Sequence, residues 1–71
     1  MQSAYDRVAS LFRREMGMWF TRDDIEKSLN LTKPTACRAL SDLTEDLNLE
    51  VRKEGRKVYY RLNEKDAAKK I

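Results

Sequence analysis

The chain has 71 residues, of which 41% are hydrophobic and 38% charged, with a formal net charge of +3. That is length for one small domain, too apolar for a disordered tail and too charged for a membrane span, since no stretch approaches the ~20 apolar residues a spanning helix needs. It contains no histidine and a single cysteine, Cys37, so an intramolecular disulfide and four-Cys or Cys2His2 zinc sites within the chain are excluded.

A chain this short leaves little volume for an enclosed substrate pocket, and the usual His and Cys chemistry is missing, so an enzyme is not expected. No cofactor and no metal effector are expected either. The opening Met1-Gln2-Ser3-Ala4-Tyr5-Asp6 has no basic-then-apolar signal pattern. Residues 1–71 read as one cytoplasmic, nucleoid-associated domain without repeats or linkers.

Ser3-Ala4-Tyr5-Asp6 has the form of a capping box. Tyr5, Val8, Ala9, Phe12 and Met16 follow at three- and four-residue steps, one face of a first helix, and Leu11 widens that stripe. Gly17 is expected to end the helix. Met18-Trp19-Phe20 reads as a short strand, with Trp19 and Phe20 in the core. Thr21-Arg22-Asp23-Asp24 starts a second helix of about two turns, its acids placed where the helix dipole favours them. Ile25 and Leu29 lie one turn apart on it, and Asn30-Leu31 ends it.

Thr32 is placed to cap a third helix with Lys33 and Pro34 in its first turn, where proline is tolerated. Ala36, Ala39, Leu40, Leu43 and Leu47 form its apolar stripe, opposite Pro34, Arg38, Ser41, Asp42 and Glu45. Cys37 is expected half-buried at the helix edge, without a redox role. Two helices separated by Leu31 and Thr32 have the spacing of a helix-turn-helix. The period then changes to two. Leu49 and Val51 alternate with Glu50 and Arg52, and Val58, Tyr60 and Leu62 alternate with Lys57, Tyr59 and Arg61, giving two strands joined by a tight turn at Gly55. Asn63-Glu64-Lys65-Asp66 can start a short C-terminal helix over Ala67, Ala68 and Ile71.

Helix, short strand, helix, turn, helix, hairpin is the winged helix-turn-helix layout, of α+β class: three helices, a two- or three-stranded antiparallel wing sheet and a short C-terminal helix, with the helix-turn-helix at about residues 21–47 and the wing at about residues 49–62. Leu31-Thr32-Lys33-Pro34-Thr35-Ala36-Cys37-Arg38-Ala39-Leu40 resembles the turn and recognition helix of winged-helix repressors. Glu54-Gly55-Arg56-Lys57-Val58-Tyr59-Tyr60-Arg61-Leu62 resembles the wing of the ArsR-type family. The resemblance covers Phe20 to Leu62. Where that family has Gly-Leu before the first wing strand, this chain has Leu47-Asn48, and Asn48 can take the left-handed conformation one position later. The metal-sensing members use Cys and His ligands that are missing here.

The resemblance implies double-stranded DNA as partner, with the third helix in the major groove and the wing on the flanking backbone or minor groove. The outward residues near the start of that helix are Lys33, Thr35, Arg38 and Ser41, and Arg38 is the candidate for a bidentate contact to guanine. Thr21 and Arg22 are placed to hold a phosphate at the start of the second helix. In the wing, Lys53, Arg56, Lys57 and Tyr59 are the backbone-contact candidates. Charge follows the same division. Residues 51–63 hold five cations against Glu54, a net +4, whereas residues 32–50 hold Lys33 and Arg38 against Asp42, Glu45, Asp46 and Glu50, a net −2. The wing should anchor the protein while the third helix inserts its N-terminal end first.

The functional expectation is a small sequence-specific transcriptional regulator or repressor. An architectural DNA-bending protein is the alternative within nucleic-acid binding. A protein-docking module using the patch of Asp42, Glu45, Asp46 and Glu50 is the alternative outside it. Leu11 and Met18, together with the C-terminal segment, would offer a homodimer seam where they are exposed.

Overall fold

The structure, a computed structural model, describes residues 3–63. Helix α1 spans Ala4–Arg14. The Ser3 hydroxyl accepts a hydrogen bond from the Asp6 N–H at 3.2 Å, and Arg13 and Arg14 sit in the last turn, the favourable end of the dipole for cations. Val8, Ala9, Leu11 and Phe12 are buried. The helix stops two residues before Met16, which therefore leaves the expected stripe and is exposed. Gly17 is not the cap. It takes φ +88° in the turn that follows, and its N–H donates to the Leu62 carbonyl at 3.2 Å, tying the exit of α1 to the end of the wing.

Strand β1 is only Phe20–Thr21, so Met18 and Trp19 precede it. Helix α2 spans Arg22–Leu29, and both halves of its capping box are formed. The Asp24 N–H donates to Thr21 Oγ1 at 3.1 Å and the Thr21 N–H donates to Asp24 Oδ2 at 3.0 Å. Asn30, at φ 55°, closes the helix in the left-handed region. Helix α3 spans Lys33–Asp46, with Pro34 in its first turn. Thr32 precedes it but makes no side-chain cap. Its hydroxyl donates instead to the Thr35 hydroxyl at 2.9 Å. Asn48 takes φ 53°, as expected, and turns the chain into the sheet.

Strands β2 (Glu50–Glu54) and β3 (Lys57–Arg61) form the hairpin, and β3 lies between β1 and β2 in an antiparallel sheet. Gly55 alone has positive φ (+60°) in the two-residue turn Gly55-Arg56, the pattern of a type II′ hairpin whose twist matches its strands. Directly opposed pairs share a face, so Phe20, Tyr60 and Val51 lie on one side and Thr21, Tyr59 and Arg52 on the other.

The core contains Val8, Phe12, Ile25, Leu40, Leu43 and Leu62, each at 1% exposure or less. Phe12 meets Phe20 edge to face, with ring centroids 5.6 Å apart. Among the described residues no polar side chain is buried. Two expectations are corrected here. Leu11 is in the core at 6% exposure and offers no seam, whereas Met18 is exposed at 54%. Trp19 is only half-buried and stacks under the Arg61 guanidinium, 4.4 Å from its ring centroid, rather than lying in the core. The expected C-terminal helix, and the seam it was to share, lie outside the described residues.

Candidate nucleic-acid interface

Packing fixes which side of α3 is outward. Ala36, Ala39, Leu40 and Leu43 are buried against the core, so Lys33, Thr35, Arg38 and Ser41 are left exposed. At about 100° per residue, Arg38 falls almost opposite the direction of Ala36 and Leu40. Neither Lys33 nor Arg38 has a hydrogen bond or ion pair within the described residues. Cys37 is exposed, not half-buried.

The chain folds the start of α2, the middle of α3 and the tip of the hairpin around one cleft of about 330 Å3. Thr21 and Arg22 come from the α2 side, Arg56 and Lys57 come from the hairpin, and Leu40 and Tyr60 also line it. Four of the ten candidate DNA-contact residues thus meet in one place, although Arg22 and Arg56 are 34 positions apart in the chain. Thr35, Arg38 and Ser41, spaced three residues apart, form a separate row along α3, and Lys33 is exposed at its N-terminal end, off that row. Lys53 is exposed near the hairpin tip, and Tyr59 lies on the far face of the sheet, beside Arg52.

Local contacts divide these groups into engaged and free ones. Both the hydroxyl and the N–H of Thr21 belong to the capping box. Replacing Thr21 by alanine should therefore lower stability by about 1 kcal/mol in urea denaturation, and Thr21→Ser, which keeps the hydroxyl, should restore most of it. The Arg22 guanidinium is also occupied: Nε meets Glu26 at 3.1 Å, an NH2 group lies 4.0 Å from Asp23, and the other donates to Cys37 Sγ at 3.8 Å. The Cys37 contact, and then Glu26, hold Arg22 above its ordinary pKa. The Arg22–Glu26 spacing of four residues is legible in a sequence. The Arg22–Cys37 contact joins two helices and has no local signal.

In the wing, Arg52 pairs with Glu54 at 2.6 Å and Arg61 with Glu50 at 2.7 Å. The hydrogen bond from Arg61, and then that from Asn63, hold the Glu50 carboxyl below its usual range. Lys53, Arg56 and Lys57 have no such partner among the described residues. Of the acidic patch, Asp46 accepts from the Tyr5 hydroxyl at 2.6 Å, a bond that raises the Tyr5 pKa. With Glu50 also engaged, Asp42 and Glu45 are the acids of that patch without a partner among the described residues. Among the described residues no group of three His, Cys, Asp or Glu side chains is arranged to hold a metal, and no helix is long and apolar enough to cross a membrane.

No protein-family model matches this chain, and no curated protein sequence matches it. Among solved structures, reduced HlyU from Vibrio cholerae N16961 superposes with a TM-score of 0.73, covering 96% of this chain and 70% of its own, at 17% identity. Three helices and a three-stranded antiparallel sheet in this arrangement are a winged helix-turn-helix fold of α+β class.

Proposed function

We propose that this chain binds double-stranded DNA sequence-specifically as a small, ArsR-like transcriptional regulator without a metal site, acting in the cytoplasm at the nucleoid. Helix α3 enters the major groove N-terminal end first, with its outward face as far as Asp42 over the base edges, and the hairpin tip grips the flanking backbone or minor groove. The observation that carries this reading is the placement of unpaired cations. Arg38 stands on the outward face of α3, and Arg56 and Lys57 stand across the cleft from the start of α2. An unpaired arginine on an exposed helix face offers its whole donor fork to guanine O6 and N7.

The docking alternative is weakened, because Asp46 and Glu50, half of its acidic patch, are engaged within the chain. Leu11 is taken by the core, so the large apolar side chains left exposed to a second copy among the described residues are Met16, Met18 and Val51.

Lys33, Arg38, Lys53, Arg56 and Lys57 are the interface cations without side-chain partners among the described residues. With Arg38 on a base, the other four as phosphate-neutralising cations set a limiting slope of about −3.6 in log affinity against log salt. Fluorescence anisotropy with a random duplex pool across a salt series tests this. The expected result is a slope approaching that value together with enrichment of one short motif. Arg38→Ala should cost about 1–3 kcal/mol on the enriched site and relax preference at one base pair. Absence of duplex binding at low salt would overturn the proposal. Binding with a steep slope but no motif would favour the architectural alternative.

A further inference from the structure

The outward row of α3 does not end in a cation. Asp42 follows Arg38 by one turn, about 6 Å along the axis and about 40° around it. Both side chains are exposed; Arg38 is almost opposite buried Ala36 and Leu40, and Asp42 is displaced from it toward the α1 side of the helix, about 60° from buried Ala39. This is the four-residue spacing at which an arginine and an aspartate can pair, yet no salt bridge joins them. Asp42 has no other hydrogen-bond partner among the described residues, in contrast to Asp24, Glu26, Asp46, Glu50 and Glu54.

Beside DNA, such a carboxylate meets a restrictive environment. It is an acceptor only, so phosphates, guanine O6 and N7, and thymine O4 all repel it. The groove floor offers it two donors, the amino groups of cytosine N4 and adenine N6. At adenine the neighbouring N7 is a second acceptor that a carboxylate cannot satisfy, so cytosine is the matched base. The rise from Arg38 to Asp42 corresponds to about two base-pair steps of about 3.4 Å.

We infer that Asp42 is a second specificity-determining residue of the interface, which accepts a hydrogen bond from a cytosine amino group one or two base pairs from the guanine that Arg38 contacts. This rests on the DNA-binding reading above. It also gives the negative end of the recognition row a role: Asp42 excludes sequences that present only acceptors at that step, where a neutral residue would tolerate them.

The test is selection from a random duplex pool by the wild-type chain, Asp42→Asn and Asp42→Ala, with helix content checked by circular dichroism. Wild type should prefer cytosine at the second position by about tenfold. Asp42→Asn supplies both a donor and an acceptor, so preference there should move to adenine. Asp42→Ala should lose preference at that position alone, with guanine at the Arg38 position retained. If both variants simply bind all sequences more tightly with an unchanged motif, Asp42 is only a repulsive charge and the inference is overturned. Wild-type binding without any motif overturns the inference and leaves DNA binding standing. No wild-type binding removes the DNA reading itself, and Asp42's role with it.

Discussion

Replacing Arg56 and Lys57 together by alanine should weaken binding to every duplex alike and reduce the salt slope by about two units, with about 30-fold lower affinity at 0.15 M salt. The size of the effect follows from what these two side chains do not do in the free protein. Among the described residues neither is tied to a carboxylate, whereas Arg52 and Arg61 of the same hairpin are paired with Glu54 and Glu50. A free cation releases counterions on meeting a phosphate. A cation already matched by a carboxylate must first exchange partners, and its net contribution is small. The substitutions leave the fold intact, because the tight turn depends on Gly55 at φ +60° and both residues are exposed. Salt titrations of the double variant and of Arg52→Ala, side by side, separate the two classes of cation. An unchanged slope in the double variant would remove the wing from the interface.

Phe12→Ala should have the largest effect on stability, about 3–5 kcal/mol. Phe12 is fully buried, and its ring meets Phe20 at 89°, so the truncation removes both apolar burial and the edge-to-face contact between α1 and β1. At about 0.05–0.15 kcal/mol per residue, a chain this size has only about 4–11 kcal/mol of total stability. The variant should melt at least ~12 °C below wild type, and at the upper end of the range it should not fold cooperatively. Thermal unfolding followed by circular dichroism gives the answer. A shift of only a few degrees would mean that the core closes over the missing ring.

Element types and order were legible because each has its own local signal. The stripe of α1, the Thr-x-x-Asp start of α2, Pro34 in the first turn of α3 and the period-two hairpin all depend on neighbours within a few residues. What was misread depended on distant ones. Trp19 and Phe20 were both expected in the core, but adjacent residues entering a strand point to opposite faces. Phe20 pairs beside Tyr60 on the inner side, so Trp19 is left on the outer side with Arg61. Met16 continues the apolar spacing of α1, yet the helix has already ended at Arg14 and the chain is turning toward Leu62. For the candidate interface, the outward row of α3 followed from its stripe. The Thr21 cap and the Arg22–Glu26 pair have local signals, but the Arg22–Cys37 contact could not be read from neighbouring residues, because it depends on how α2 and α3 pack. Charge counting alone therefore overstates how much unpaired positive charge the start of α2 presents.

The placement of Trp19 has a practical consequence for optical work. It is the chain's single tryptophan, and the guanidinium over its ring comes from β3, on the opposite side of the β1–β3 ladder. Its emission therefore reports assembly of the sheet, whereas far-ultraviolet dichroism is dominated by the three helices. Agreement between the two signals during unfolding would show that wing and helices melt as one unit. An indole signal that moves first would show the hairpin opening ahead of the bundle, and the helix-turn-helix persisting without its wing.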